Sequence, residues 1–237
     1  MPPYENSSRS YRSPSIIDVK QGKTVSLSQI MGLLSFMFLA MTAGVFLVPP
    51  VYFMPAMILE FVLLFTIPVM NRRAVARGED PAAGLTAGLA LLFAACAGAT
   101  LGPLVQSLAA TSDGLAVLGQ ATLVTFIVFA SFGMYGLMTK RNLSGMAKAL
   151  FIGLLVLLGI MILSVFFSSF FSPFGLLIGV GGAILFSLMT ALDFQRAKYS
   201  TADNAVMVTL SIFLDFVNLF VFILDIFMIF GGGGRKR

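Results

Sequence analysis

Four carboxylates lie where hydrocarbon is expected. Glu60, Asp193, Asp215 and Asp225 all fall in or at the edge of long apolar runs, and no Lys or Arg lies inside any of those runs. A charged side chain at the centre of a bilayer costs about 2.5–3.5 kcal/mol even on the lowest scales. Each of these acids must therefore hold a proton, keep water, or meet a cation from a loop end or from solution. That is the chemistry of proton and cation binding. Asp193 and Asp215 stand out because they occur one to each apolar run in ILFSLMTALDFQRAKYSTADNAVMVTLSIFLDFVNLF, residues 184–220. If the two runs are antiparallel helices joined by a turn over Lys198–Asn204, the midpoint between the acids is Asn204. The carboxylates then reach a common depth, roughly 10–15 Å from the turn at about 1.5 Å per residue. Two at one level make a candidate proton or cation site.

The helix carrying Asp215 must present it to an interior. At about 100° per residue, Ser211, Asp215, Asn218 and Asp225 fall within an arc of about 80°, with Val, Leu, Ile and Phe elsewhere. Such a helix suits the centre of a bundle, its polar stripe lining a wet cavity. Glu60 is expected to face the same interior and attract cations, since a lipid-facing carboxyl is expensive. The small residues of Gly98-Ala-Thr-Leu-Gly102, and Gly175 with Gly179, suit close helix contacts.

Seven apolar runs are long enough to cross a bilayer, which takes about 20 helical residues: 27–48, 52–70, 83–105, 115–138, 149–170, 176–193 and 205–230. The fold expected is all-α and polytopic, with a seven-helix transmembrane domain over 27–230 and the last helix central, enclosed by the others. Residues 1–26 read as a polar, disordered cytoplasmic tail, and 231–237, Gly-rich and then basic, as a flexible one. Arg72, Arg73 and Arg77, then Lys140, Arg141 and Lys148, then Arg196 and Lys198 fall in loops on the same side as the N-terminal basic residues. By the positive-inside rule that side is cytoplasmic. The C-terminal Arg235-Lys236-Arg237 then lies on the other side, against the rule.

Composition agrees and excludes much else. The chain of 237 residues is 58% hydrophobic and 11% charged, with a mean hydropathy of +0.98, more apolar surface than one soluble core could bury. The net charge of +5 comes from short loops and not from one basic face, so no nucleic acid is expected. There is no histidine, which removes Ser-His catalysis and imidazole-held metals, and Cys96 is the only cysteine. No Gly-rich phosphate loop sits between a strand and a helix. An aspartyl protease would also use two membrane aspartates, but the contexts Ala-Leu-Asp193 and Phe-Leu-Asp215 are not those expected of that class. No enzyme activity and no cofactor are expected.

The segments FSLMTALDFQRAK and LSIFLDFVNLFVFIL, with MILEFVLLF and the basic residues after it, resemble the signature regions of the Bax inhibitor-1 family. The resemblance extends over roughly Gln29 to Phe230. It implies seven helices, the last wrapped by two groups of three, and a pH-sensitive calcium leak controlled by an aspartate pair that maps onto Asp193 and Asp215. In that family an arginine latches the pair. In register with Glu60 it falls on Asn71, so Arg72 or Arg73 is expected to serve. Asp225 stands where bacterial members usually carry a basic residue, and adds negative charge to the outer half of the cavity.

The expected function is a pH-sensitive calcium or cation leak channel or exchanger, gated by Asp193 and Asp215, with Glu60, Ser211, Asn218 and Asp225 along the cation path. The alternative is a regulatory membrane protein that binds a protease or a cell-death or stress factor. The expected partners are calcium, protons, the bilayer and a possible membrane protein partner, and the chain is expected to be a monomer. It is placed in a bacterial plasma membrane with the N-terminus cytoplasmic, or alternatively in an ER- or Golgi-type membrane.

Overall fold

The structure is a computed structural model that describes residues 26–81 and 84–232. Both expected tails fall almost wholly outside the described residues, apart from Ser26, which caps the first helix, and Gly231 and Gly232, which extend the last one. The described chain is nearly all helix: α1 (Leu27–Leu47), α2 (Phe53–Arg77), α3 (Leu85–Ala109), α4 (Ser112–Met138), α5 (Ala147–Phe166), a single-turn α6 (Ser168–Phe171), α7 (Gly175–Lys198) and α8 (Ala205–Gly232). Among the described residues, seven segments are long and apolar enough to span a membrane.

Two boundaries differ from the sequence reading in ways that matter to the site. α2 does not end at Met70; it continues through Asn71, Arg72 and Arg73 to Arg77 and stops where Gly78 adopts the left-handed φ of 72°. Nothing before Gly78 breaks the helix, and basic residues at its end complement the helix dipole. α7 likewise runs past Asp193 to Lys198, with Arg196 and Lys198 in its last turn. Asp193 is therefore one and a half turns inside a helix, not at its edge.

The outward faces are those of a membrane protein. Phe61 and Phe65 of α2, Phe126 of α4 and Phe151 and Leu155 of α5 are exposed large apolar side chains on spanning helices, a pattern that lipid, not water, rewards. Interior packing depends on small residues. A Cβ on Gly44 or Gly98 would run into the backbone of the facing helix, at Ala95 of α3 and Met41 of α1 respectively, and one on Gly136 into the backbone of Ala191. Close backbone approach replaces the hydrophobic effect, which offers little between helices already in hydrocarbon. α8 packs most extensively on α7, α4 and α1, with smaller contacts to α3 and α2, while α5 packs against α7.

Three polar ties join the chain connections at one end of the bundle. Asn71 Nδ2 donates to the Asp203 carbonyl at 2.8 Å, linking α2 to the α7–α8 turn. Gln195 Oε1 accepts from the Leu143 N–H at 2.8 Å, and its Nε2 donates to the Arg141 carbonyl at 2.7 Å, linking α7 to the α4–α5 connection. The α7–α8 turn is closed by Asn204, whose Oδ1 accepts from the Ser200 hydroxyl at 2.6 Å and from the Thr201 N–H at 2.9 Å. This is the end that carries the basic loops.

Candidate functional site

Asp193 and Asp215 come together across the α7–α8 contact, both almost wholly buried, at 3% and 2% exposure. Asp193 has an ion-pair partner and a neighbouring hydroxyl. Arg196 Nη1 donates to its Oδ1 at 2.8 Å, and the Ser211 hydroxyl of α8 lies within hydrogen-bonding reach of the same carboxyl. Asp215 is differently placed: its Oδ2 is buried without a hydrogen-bond partner, and the charges close enough to act on it are those of Asp193 and Arg196. No hydrogen bond joins the two carboxyls directly.

The expected common depth needs correction by about one helical turn. α7 ends five residues after Asp193, at Lys198, whereas α8 begins ten residues before Asp215, at Ala205. For antiparallel neighbours that places Asp215 roughly 6–8 Å deeper. Ser211, one turn closer to the start of α8, is the residue level with Asp193. The turn is not symmetric about Asn204 because α7 continues through Gln195 to Lys198.

The expectation that Arg72 or Arg73 latches the pair is not met in this conformation. Both side chains are exposed near the end of α2, and the guanidinium on Asp193 is that of Arg196, three residues along the same helix. An i, i+3 spacing puts the two side chains on one helix face, so this partner was open to sequence reasoning once α7 was carried past Asp193. The family register was informative in another way. Asn71 is buried and docks on the α7–α8 turn, but it brings an amide there instead of a charge.

The remaining candidates spread along the bundle. Asn218, one turn beyond Asp215, donates its amide back to the Leu214 carbonyl at 2.8 Å, which leaves its own side-chain oxygen as an acceptor. Glu60 is partly buried at the α2–α3 contact, where the Thr100 hydroxyl donates to its Oε2 at 2.9 Å. It is not among the charges that act on Asp215, and Thr100 is a partner that sequence alone did not suggest. Asp225 is partly buried and lines a cavity of about 720 Å³ towards the opposite end of the bundle, with Ser164, Ser168 and Ser172. A second cavity, of about 490 Å³, opens at the basic end and reaches Arg196 and Asn204. In the chain, Asp215 lies between Asn204, which lines the second cavity just before α8, and Phe222 and Asp225 of α8, which line the first.

Aromatic side chains pack between the helices near the pair. A continuous chain of ring contacts runs Phe93, Phe213, Phe38, Phe216, Phe129 and Phe194, with centroids 4.7 to 6.3 Å apart. It joins α3, α8, α1, α4 and α7 and flanks Asp215 through Phe213 and Phe216. A buried carboxylate oxygen without a partner is a strongly unfavourable place for bare negative charge, which a proton or a cation would relieve. Among the described residues no group of three or more His, Cys, Asp or Glu gathers to hold a metal. Two carboxylates, a hydroxyl and an amide oxygen amount to only part of the 6–8 oxygen shell that calcium prefers, so a calcium ion placed here would need several waters to complete it.

Fold and site together define a multi-pass helical membrane protein with a carboxylate pair buried between its last two helices. The family described as inhibitor of apoptosis-promoting Bax1 matches residues 24–232, and the chain belongs to that family, the Bax inhibitor-1 family. The chain is 37% identical over 147 residues to an uncharacterized protein of Helicobacter pylori, a match that covers 62% of this chain and 63% of the relative. It is 37% identical over 134 residues to one of Campylobacter jejuni, covering 56% and 57%. These matches span less than two thirds of the relatives' own length. An uncharacterized membrane protein of Streptococcus pyogenes serotype M3 is 31% identical over 186 residues, covering 75% of each chain.

Proposed function

We propose that this protein is a pH-sensitive leak pathway for calcium, or for cations of that class, in which Asp193 and Asp215 form the gate and Arg196 is the latch. The observation that carries the proposal is the buried, unpartnered Oδ2 of Asp215 beside a second carboxylate that is itself neutralised by a cation. An ionisable group with no protein partner at membrane depth marks an ion or proton path. The Phe38–Phe216–Phe129 contacts serve as the apolar constriction, and the two cavities as vestibules on either side of it.

With Asp193 ionised, Arg196 is bound to it and the path is closed. As pH falls, protonation of Asp193 removes the charge that holds Arg196. The guanidinium, half-exposed already at 50%, swings into the adjoining cavity, and Asp215 is left open to hydrated cations. The leak therefore rises as pH falls. The reading includes a cytoplasmic N-terminus, a bacterial plasma membrane, a monomeric working unit, and a transport role in place of catalysis. Calcium-indicator flux into proteoliposomes that contain only this protein tests it. Influx above empty liposomes at about pH 6 is the expected result, and none at any pH between about 5 and 8 ends the proposal.

A further inference from the structure

The cavity at the basic end has a chemistry of its own. Its lining includes Lys140 and Arg141 from the α4–α5 connection and Arg196 from α7, with Asn142, Ser144 and Asn204 between them, and no carboxylate. Among the described residues neither Lys140 nor Arg141 forms an ion pair. The walls are fixed, because Gln195 holds the connection by the Arg141 carbonyl and the Leu143 N–H, and Asn142 Oδ1 accepts from the Ser144 N–H at 2.9 Å. A volume of about 490 Å³ falls within the roughly 300–1,000 Å³ range of small-molecule sites. Three basic residues on the lining of one polar hollow without a carboxylate favour a multiply charged oxyanion, and Arg in particular suits phosphate oxygens.

We propose that this cavity binds a phosphate-bearing anion, and that the anion competes with Asp193 for Arg196. Arg196 is the shared element: it lines the cavity and it donates to Asp193 Oδ1. A guanidinium drawn towards phosphate in the cavity is drawn away from the carboxylate. Binding itself does not depend on the transport reading. Its consequence for the gate rests on that reading and is measured separately.

Thermal unfolding of the full chain in neutral detergent provides the test, with inorganic phosphate titrated against chloride at matched ionic strength. A parallel arm uses short-chain phosphatidylglycerol against short-chain phosphatidylcholine. A saturable rise in the unfolding midpoint is expected. A response to inorganic phosphate identifies a soluble phosphate compound as the source, and a response to phosphatidylglycerol alone identifies a lipid headgroup. The double variant Lys140→Gln with Arg141→Gln weakens the apparent affinity by about tenfold or more, as expected for loss of two charge-assisted contacts. Asp193→Asn strengthens it by about threefold to tenfold, because Arg196 is released. Competition for Arg196 is what separates this site from a basic surface patch that merely collects anions. No saturable response in either arm, or an affinity unchanged in the double variant or in Asp193→Asn, overturns the proposal.

Discussion

Arg196 and Asp193 form an ion pair at 2.8 Å on one face of α7, with the carboxylate buried and the guanidinium half in the open. A pair of this kind joins the interior of the bundle to the basic-end cavity through one side chain. Because the guanidinium is half-exposed, the attraction is screened and worth about 1 kcal/mol or less to stability. That weakness suits a latch that must release. Arg196→Gln should accordingly leave the fold intact and raise the leak at about pH 8 to near the level at about pH 6, since the ion pair exists only while Asp193 is ionised. A normal pH profile in that variant would remove Arg196 from the gate.

Gln195 holds the α4–α5 connection against α7 through two hydrogen bonds, one as acceptor and one as donor, at 8% exposure. Gln195→Ala leaves the Leu143 N–H and the Arg141 carbonyl without their partner. A loss of about 1–3 kcal/mol is expected, read as a lower midpoint in denaturing-detergent unfolding. An unchanged midpoint would mean that the connection is held by other contacts.

Gly136 lets α4 lie directly on the backbone of Ala191, two residues before Asp193. Gly136→Ala forces the helices apart, at an expected cost of about 1–3 kcal/mol. The same displacement should raise the leak at about pH 8, because α4 carries Phe129 of the aromatic constriction. If unfolding shifts and the leak does not, the constriction lies elsewhere.

Glu60 donates no charge to the aspartate pair but accepts from Thr100 at the α2–α3 contact. Glu60→Gln should keep that hydrogen bond through the amide oxygen and lower calcium flux by about twofold or less through loss of long-range attraction. A tenfold loss in flux would instead bring Glu60 into the path itself.

Much of this was readable in the residues. The apolar runs fixed seven spans, because only helices satisfy their own backbone in hydrocarbon, and Asp193 and Asp215 were singled out by the cost of placing charge there. What escaped was length and partnership. The charged stretches after Met70 and after Asp193 look like loops when bilayer thickness sets the boundary, yet helices continue past the hydrocarbon until something such as Gly78 stops them. That continuation sets Arg196 on the face of Asp193 and shifts Asp215 a turn deeper. The tie between Asn71 and the Asp203 carbonyl, and the contacts of Phe216 with both Phe38 and Phe129, join residues far apart in the chain. No periodicity within one helix encodes them.

Control of a cation path by the buried pair Asp193 and Asp215 is tested most directly by calcium influx into proteoliposomes at about pH 6 and about pH 8 for the wild type, Asp193→Asn and Asp215→Asn. The wild type should leak more at the lower pH, and each variant should flatten that difference, because each removes one carboxyl from a coupled titration. Wild-type pH dependence retained in both variants would contradict the account.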